Sequence, residues 1–213
     1  MSRFALLSIV LLAAAGCSGG LHSDGPAMQI YVLRAASTAS STADAKTAAA
    51  ASTLQLPRPS ADPGLSTELI TLVRTDRRMD YFSGSRWAAQ LPDIVETLAI
   101  DTLRASGAWS AVHESPSPFV SEYVLQIDIR RFEADYTEGG EAPKVHVVLD
   151  CTLARRVGRE LVTNFVAEGV AQASENRMGP VVAAFEKAAT EALATLADRS
   201  AVALRTASAS EGR

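Results

Sequence analysis

The chain has 213 residues, 47% hydrophobic, 21% charged and 6% aromatic, a balance that fits one globular domain or at most two. Its formal net charge of −4 argues against a protein that grips nucleic acid through phosphates. No internal run reaches the roughly 18 apolar residues of a membrane span, two cysteines cannot build a disulfide scaffold, and three scattered histidines leave little for a metal site. Neither a cofactor nor a metal is read from the sequence. The 38 alanines raise hydropathy without adding volume, so Leu, Val, Ile and Phe are expected to fill the core.

The first twenty residues are MSRFALLSIVLLAAAGCSGG. Arg3 is a positive n-region, and Phe4 to Ala15 has the length of a signal-peptide apolar segment rather than a span. Ala14-Ala15-Gly16-Cys17 resembles a bacterial lipobox, with Ala14 where Leu, Val or Ile is usual. Residues 1–16 are therefore expected to be a lipoprotein signal peptide and 17–27 a tether lipidated at Cys17. The alternative is an ordinary signal peptide with an incidental cysteine. Each buried acyl methylene contributes about 0.8 kcal/mol, so two or more chains would hold the domain durably at a membrane. By resemblance to the Gram-negative sorting rule, Ser18 points to the periplasmic face of the outer membrane, with the inner membrane as the alternative.

Downstream, MQIYVLR (28–34) reads as a strand, and the Ala/Ser/Thr-rich 35–53 as a mobile insertion with no face to bury. TLQLPRPS (53–60) is a strand ended by prolines. STELITLVRT (66–75) is apolar on both sides and reads as an interior strand. Residues 77–93 read as a sharp turn into a helix at 90–106, with Pro92 in its first turn and Gly107 at its stop. AWSAVHE (108–114) is a strand and 115–119 a loop. SEYVLQIDIRRFEADYTE (121–138) alternates until Arg130-Arg131, where Phe132 falls one residue out of phase; a β-bulge or a strand end would explain it. Strands at 144–155 and 160–172, with turns at 139–143 and 156–159, complete an antiparallel meander. A helix at 178–204 follows, then a polar, frayed tail (205–213). Cys151 is in phase with Val145, Val147, Leu149 and Leu153 and reads as a core cysteine. The expected fold is a single α+β domain (28–204), a mostly antiparallel mixed sheet with two main helices packed on one face.

No nucleophile elbow, phosphate loop, H-E-x-x-H or C-x-x-C occurs. The histidines and carboxylates form no convincing acid/base pair, so the chain is read as a non-enzyme. The most unusual cluster is Asp80-Tyr81-Phe82-Ser83-Gly84-Ser85-Arg86-Trp87. Trp, Tyr and Arg are common interface anchors, so Tyr81, Phe82, Arg86 and Trp87 are the candidate partner interface. The competing reading puts Trp87 in the core, and both hold if Tyr81 or Arg86 faces outward.

The lipobox, the Tyr31-x-Leu33 strand, LITLVRT, YFSGSRWAAQLPDIVETL, EYVLQIDIRRFEAD with its hairpin, and the long final helix together resemble the ABC-type transport auxiliary lipoproteins, the family of paraquat-inducible lipoprotein C. The most specific part is Arg86-Trp87-Ala88 leading into the helix through Leu91; the long 35–53 stretch departs as an insertion. The resemblance implies a compact, non-catalytic domain at the outer membrane. Its partners would be ABC transporter or mammalian-cell-entry (MCE) domain components that move lipid, with the domain docking the periplasmic assembly. The alternative function is a periplasmic lipoprotein that itself binds a lipid or small amphiphile.

Overall fold

The computed structural model describes residues 27–34 and 52–211. The expected signal peptide, Cys17, nearly all of the tether and most of the 35–53 insertion lie outside the described residues. The chain runs β1 (Gln29–Tyr31), β2 (Thr53–Leu56), β3 (Ser60–Ala61), β4 (Leu69–Val73), β5 (Met79–Trp87), α1 (Leu91–Ser106), β6 (Ala111–Glu114), β7 (Tyr123–Asp135), β8 (Lys144–Arg155), β9 (Leu161–Gln172) and α2 (Met178–Glu211). Among the described residues, one mixed nine-stranded sheet with two helices makes the fold α+β.

β7 is the axis of the sheet. Tyr123, Leu125, Ile127 and Ile129 are buried in alternation, and the register against β8 then slips between Ile129 and Arg131. The slip is the β-bulge that the phase change signalled; beyond it Phe132 and Ala134 continue the buried row. On one side β7, β8 and β9 form the antiparallel meander. On the other, three short strands follow one another along β7 in parallel: β2 at Tyr123 and Val124, β3 at Asp128 and Ile129, β4 at Ala134 and Asp135. β6 extends this half beside β2, and β5 and then β1 extend it beyond β4. The long ladders are the antiparallel ones, so the sheet is mostly antiparallel in extent. β4 lies between β5 and β7, the interior position its two apolar faces indicated.

Residues 79–87 depart from the expected turn: they form strand β5. Pairing with β4 on one edge and β1 on the other holds them extended. The Ser-Gly-Ser turn signal is absorbed in a wide bulge, where the two steps from Leu69 to Thr71 face the five from Arg86 back to Tyr81. Gly84 sits there at φ 67°, with nothing within 4 Å of where a Cβ would stand. Its left-handed backbone, not crowding, is what asks for glycine.

α1 starts with Pro92 in its first turn and stops at Gly107, φ 65°, whose N–H donates to the Arg104 carbonyl. α2 opens at the expected Met178 but continues to Glu211, through the tail expected to fray. Thr206 and Ser208 donate their hydroxyls to the carbonyls of Val202 and Leu204, one turn back, so these polar residues stay helical. α2 lies across β9 and β8 and packs against α1. Ala184, Ala188, Ala189 and Ala192 are buried at this seam. Opposite them a Cβ on Gly169 would stand 1.9 Å from the Ala188 carbonyl oxygen and 2.9 Å from the Ala192 nitrogen. The alanines thus bring helix and sheet backbones into contact, while the larger side chains fill the rest of the core.

Candidate functional site

The β5 cluster divides between the two faces of the sheet. Trp87 is only 1% exposed. It meets Phe132 edge-on at 6.3 Å and Phe185 at 5.3 Å, while Phe132 and Phe185 stack 5.3 Å apart. Phe82 is half-buried against the same core. Trp87 and Phe82 are therefore inside, as the core reading had it for Trp87. Tyr81 is half-buried and donates its hydroxyl to the Gly64 carbonyl at 3.1 Å. The Tyr81 N–H and the Arg74 guanidinium both bind Asp80 and hold its carboxyl below the usual range.

Arg86 faces outward. Its Nη1 lies 2.8 Å from Glu68 Oε2, and its side chain is 41% exposed. In register it stands between Ile30 on β1 and Leu69 on β4. Cross-strand partners share a face, and both neighbours are exposed, Ile30 at 56%. Met28 and Val32, two residues to either side of Ile30, are exposed as well. Arg86 is thus set in an apolar row at the β1 edge. The sequence reading missed Ile30 and Leu69. The signal was the period of two in MQIYVLR: once Leu33 is in the core, Met28, Ile30 and Val32 must face out.

Several other titratable groups are engaged structurally. Arg131 forks between Glu133 at 2.7 Å and Asp135 at 2.9 Å, which binds these two carboxylates to one cation. His146 lies opposite Glu133, and burial with the Arg131 charge pushes its pKa down. His113 stacks on Phe119. Among the described residues no group of three or more His, Cys, Asp or Glu side chains could hold a metal ion, and no helix is long and apolar enough to cross a membrane. Cys151 is buried, and desolvation with the neighbouring Asp150 charge raises its thiol to about 12. A Cys17→Ala chain should consequently show no reaction with an aromatic disulfide reagent until denaturant opens the core. Stoichiometric labelling of the native protein would show that this part of β8 is accessible.

The family model of the ABC-type transport auxiliary lipoprotein component matches residues 31–198. Among solved structures, a DUF330 protein of Xanthomonas campestris superposes with a TM-score of 0.73 at 24% identity, covering 84% of this chain and 98% of that one. An uncharacterized protein superposes with a TM-score of 0.63 at 12% identity, covering 82% and 99%. Both are likenesses of fold. No curated protein matches.

Proposed function

Because this chain belongs to the ABC-type transport auxiliary lipoproteins, we propose that it is the non-enzymatic, lipid-anchored subunit of an envelope lipid transporter. It docks the periplasmic, MCE-domain part of that machine at the outer membrane. The observation that carries this reading is the family match over nearly the whole described domain. Cys17 is its lipid anchor, and Ser18 directs it to the outer membrane. The filled core supports docking over carriage: a lipid carrier needs an apolar pocket that envelops its ligand, whereas the Trp87, Phe132 and Phe185 rings occupy the space between sheet and helices.

The docking surface is the row of Ile30, Arg86 and Leu69, with Tyr81 at its flank and Trp87 and Phe82 bracing β5 from within. The test is capture of the cognate MCE protein by the lipoprotein in a pull-down, with circular dichroism as the folding control. Arg86→Ala and Ile30→Ser should each fold normally and weaken capture about tenfold, a typical cost for truncating an interface anchor. Tyr81→Ala is a less clean variant because it also removes the bond to Gly64. Failure of the wild-type lipoprotein to capture the MCE protein overturns the function. Full capture by both variants moves the docking surface to the free edge of β9.

A further inference from the structure

The end of the sheet where β7 begins holds the three most exposed large apolar side chains of the described residues: Val157 at 86%, Val120 at 79% and Phe119 at 63%. Their segments are tied together: the Arg156 N–H donates to the Glu122 carbonyl at 2.8 Å and joins the β8–β9 hairpin to the loop that enters β7. The hairpin reads Arg155-Arg156-Val157-Gly158-Arg159, three guanidiniums within five residues of a chain whose net charge is −4. Arg155 lies over the Tyr123 ring at 5.9 Å, and Arg156 donates to Gln55. These two contacts fix the hairpin stem and leave Val157 at the tip. Arg159 is exposed beside it. Next to the hairpin, a groove of about 440 Å³ runs between the start of β9 and the last turns of α2, with Leu161, Val202, Arg155 and Arg199 in its walls.

We propose that this tip is a membrane-contact site. Val157, Phe119 and Val120 enter the interfacial layer of an anionic bilayer, and Arg156 and Arg159 meet lipid phosphates. Apolar tips ringed by arginines match the boundary where acyl chains meet anionic headgroups, and each arginine near such a surface adds attraction. Reach also permits it. Eleven peptide steps separate Cys17 from Met28 and span at most about 36–40 Å. Through Arg86 and Leu69, Ile30 stands near the level of Arg131 on β7, about 26 Å along the strand from Tyr123, so a tether near full extension brings this end of the sheet to the same bilayer. The proposal rests on the lipid-anchor reading for that proximity, and the experiment separates the two.

A thiol-reactive, polarity-sensitive fluorophore is placed at Val157→Cys in the mature protein, reconstituted in vesicles of phosphatidylethanolamine and phosphatidylglycerol. Cys151 is buried and a Cys17 whose sulfur carries diacylglyceryl is blocked, so one label per chain together with the added lipid mass confirms the anchor. Two labels overturn the anchor without touching the tip. The label at 157 should shift to the blue and be quenched by nitroxide lipids, while a label at Ile30→Cys stays at its aqueous emission. In the unanchored Cys17→Ala chain, Arg159→Gln should lower partition into these vesicles about fivefold, and Val157→Asp should abolish it, both with unchanged circular dichroism. Aqueous emission at 157 in the anchored protein overturns the proposal. So does a blue shift that needs no lipid and follows protein concentration, which would mean a second copy, or one that appears only on adding the MCE protein.

Discussion

Gly169→Ala should be among the most damaging single-atom additions in this protein, lowering stability by about 3 kcal/mol or more. The added methyl would stand 1.9 Å from the Ala188 carbonyl oxygen and 2.8 Å from its carbonyl carbon. Ordinary overpacking is relieved by rotating a side chain, at a typical cost of about 1–3 kcal/mol. Here the obstacle is the backbone of a 34-residue helix, so relief requires α2 to lift from β9 along the alanine seam. That would open gaps at Ala184, Ala188 and Ala192 together. For a domain of this size about 3 kcal/mol corresponds to a melting temperature lower by roughly 6–12 °C. Gly84→Ala is the informative contrast. Nothing crowds that position, so only the left-handed backbone is penalised, by about 1 kcal/mol. Thermal melts followed by circular dichroism compare the two. Equal shifts would show that α2 does not press on β9 as described.

Phe185→Ala and Phe132→Ala should each cost about 3–5 kcal/mol, the range for deleting a buried aromatic ring. Both side chains are at most 2% exposed. They stack on one another and each meets the edge of Trp87. The three rings come from α2, β7 and β5, so this is where the helix is fastened to both halves of the sheet. Aromatic pairs add about 0.5–1.5 kcal/mol beyond the area they bury. The double variant should therefore cost less than the two single variants summed, by about that amount, since either deletion already breaks the pair. Urea unfolding of the four chains measures this. A cost under about 1 kcal/mol for Phe185→Ala would mean that the triad is not formed.

The meander and both helices were legible because their physics is local. Alternation over β7, β8 and β9 and the three-and-four spacing of α1 each declare a face within one segment, and even the bulge at Arg130 shows as a phase error in the row that Phe132 rejoins. In the parallel half β1, β2, β4 and β6 were legible as strands, but their pairing was not. β2, β3 and β4 are short, and what fixes them is an edge of β7 between 62 and 69 residues away. β5 was misread for the same reason: Ser83-Gly84-Ser85 is a turn signal locally, and pairing on both edges overrides it. At the candidate site the residue types were found, but not the division between inside and outside. Trp87 and Arg86 are adjacent, and in a strand adjacency means opposite faces, a rule that applies only once the segment is known to be a strand. The neighbours that make Arg86 part of a row, Ile30 and Leu69, lie on two other strands and reach it only through the sheet order.

The way β2, β3 and β4 are laid end to end along a single edge of β7 bears on the order in which the chain can fold. Leu54 meets Tyr123 and Leu72 meets Ala134, so the early strands leave the ribosome well before the template they join exists. β7, β8 and β9, by contrast, are linked by connections of only eight and five residues and can pair without waiting for distant segments. Closing long loops is entropically slow, and contacts between near neighbours form first. The meander is therefore expected to form first, with the first half of the chain recruited to it as a set. Until then Leu54, Leu56 and Ile70, all fully buried at the end, wait in water. The rings of Trp87 and Phe132 stay uncovered until α2, which follows every described strand, arrives with Phe185.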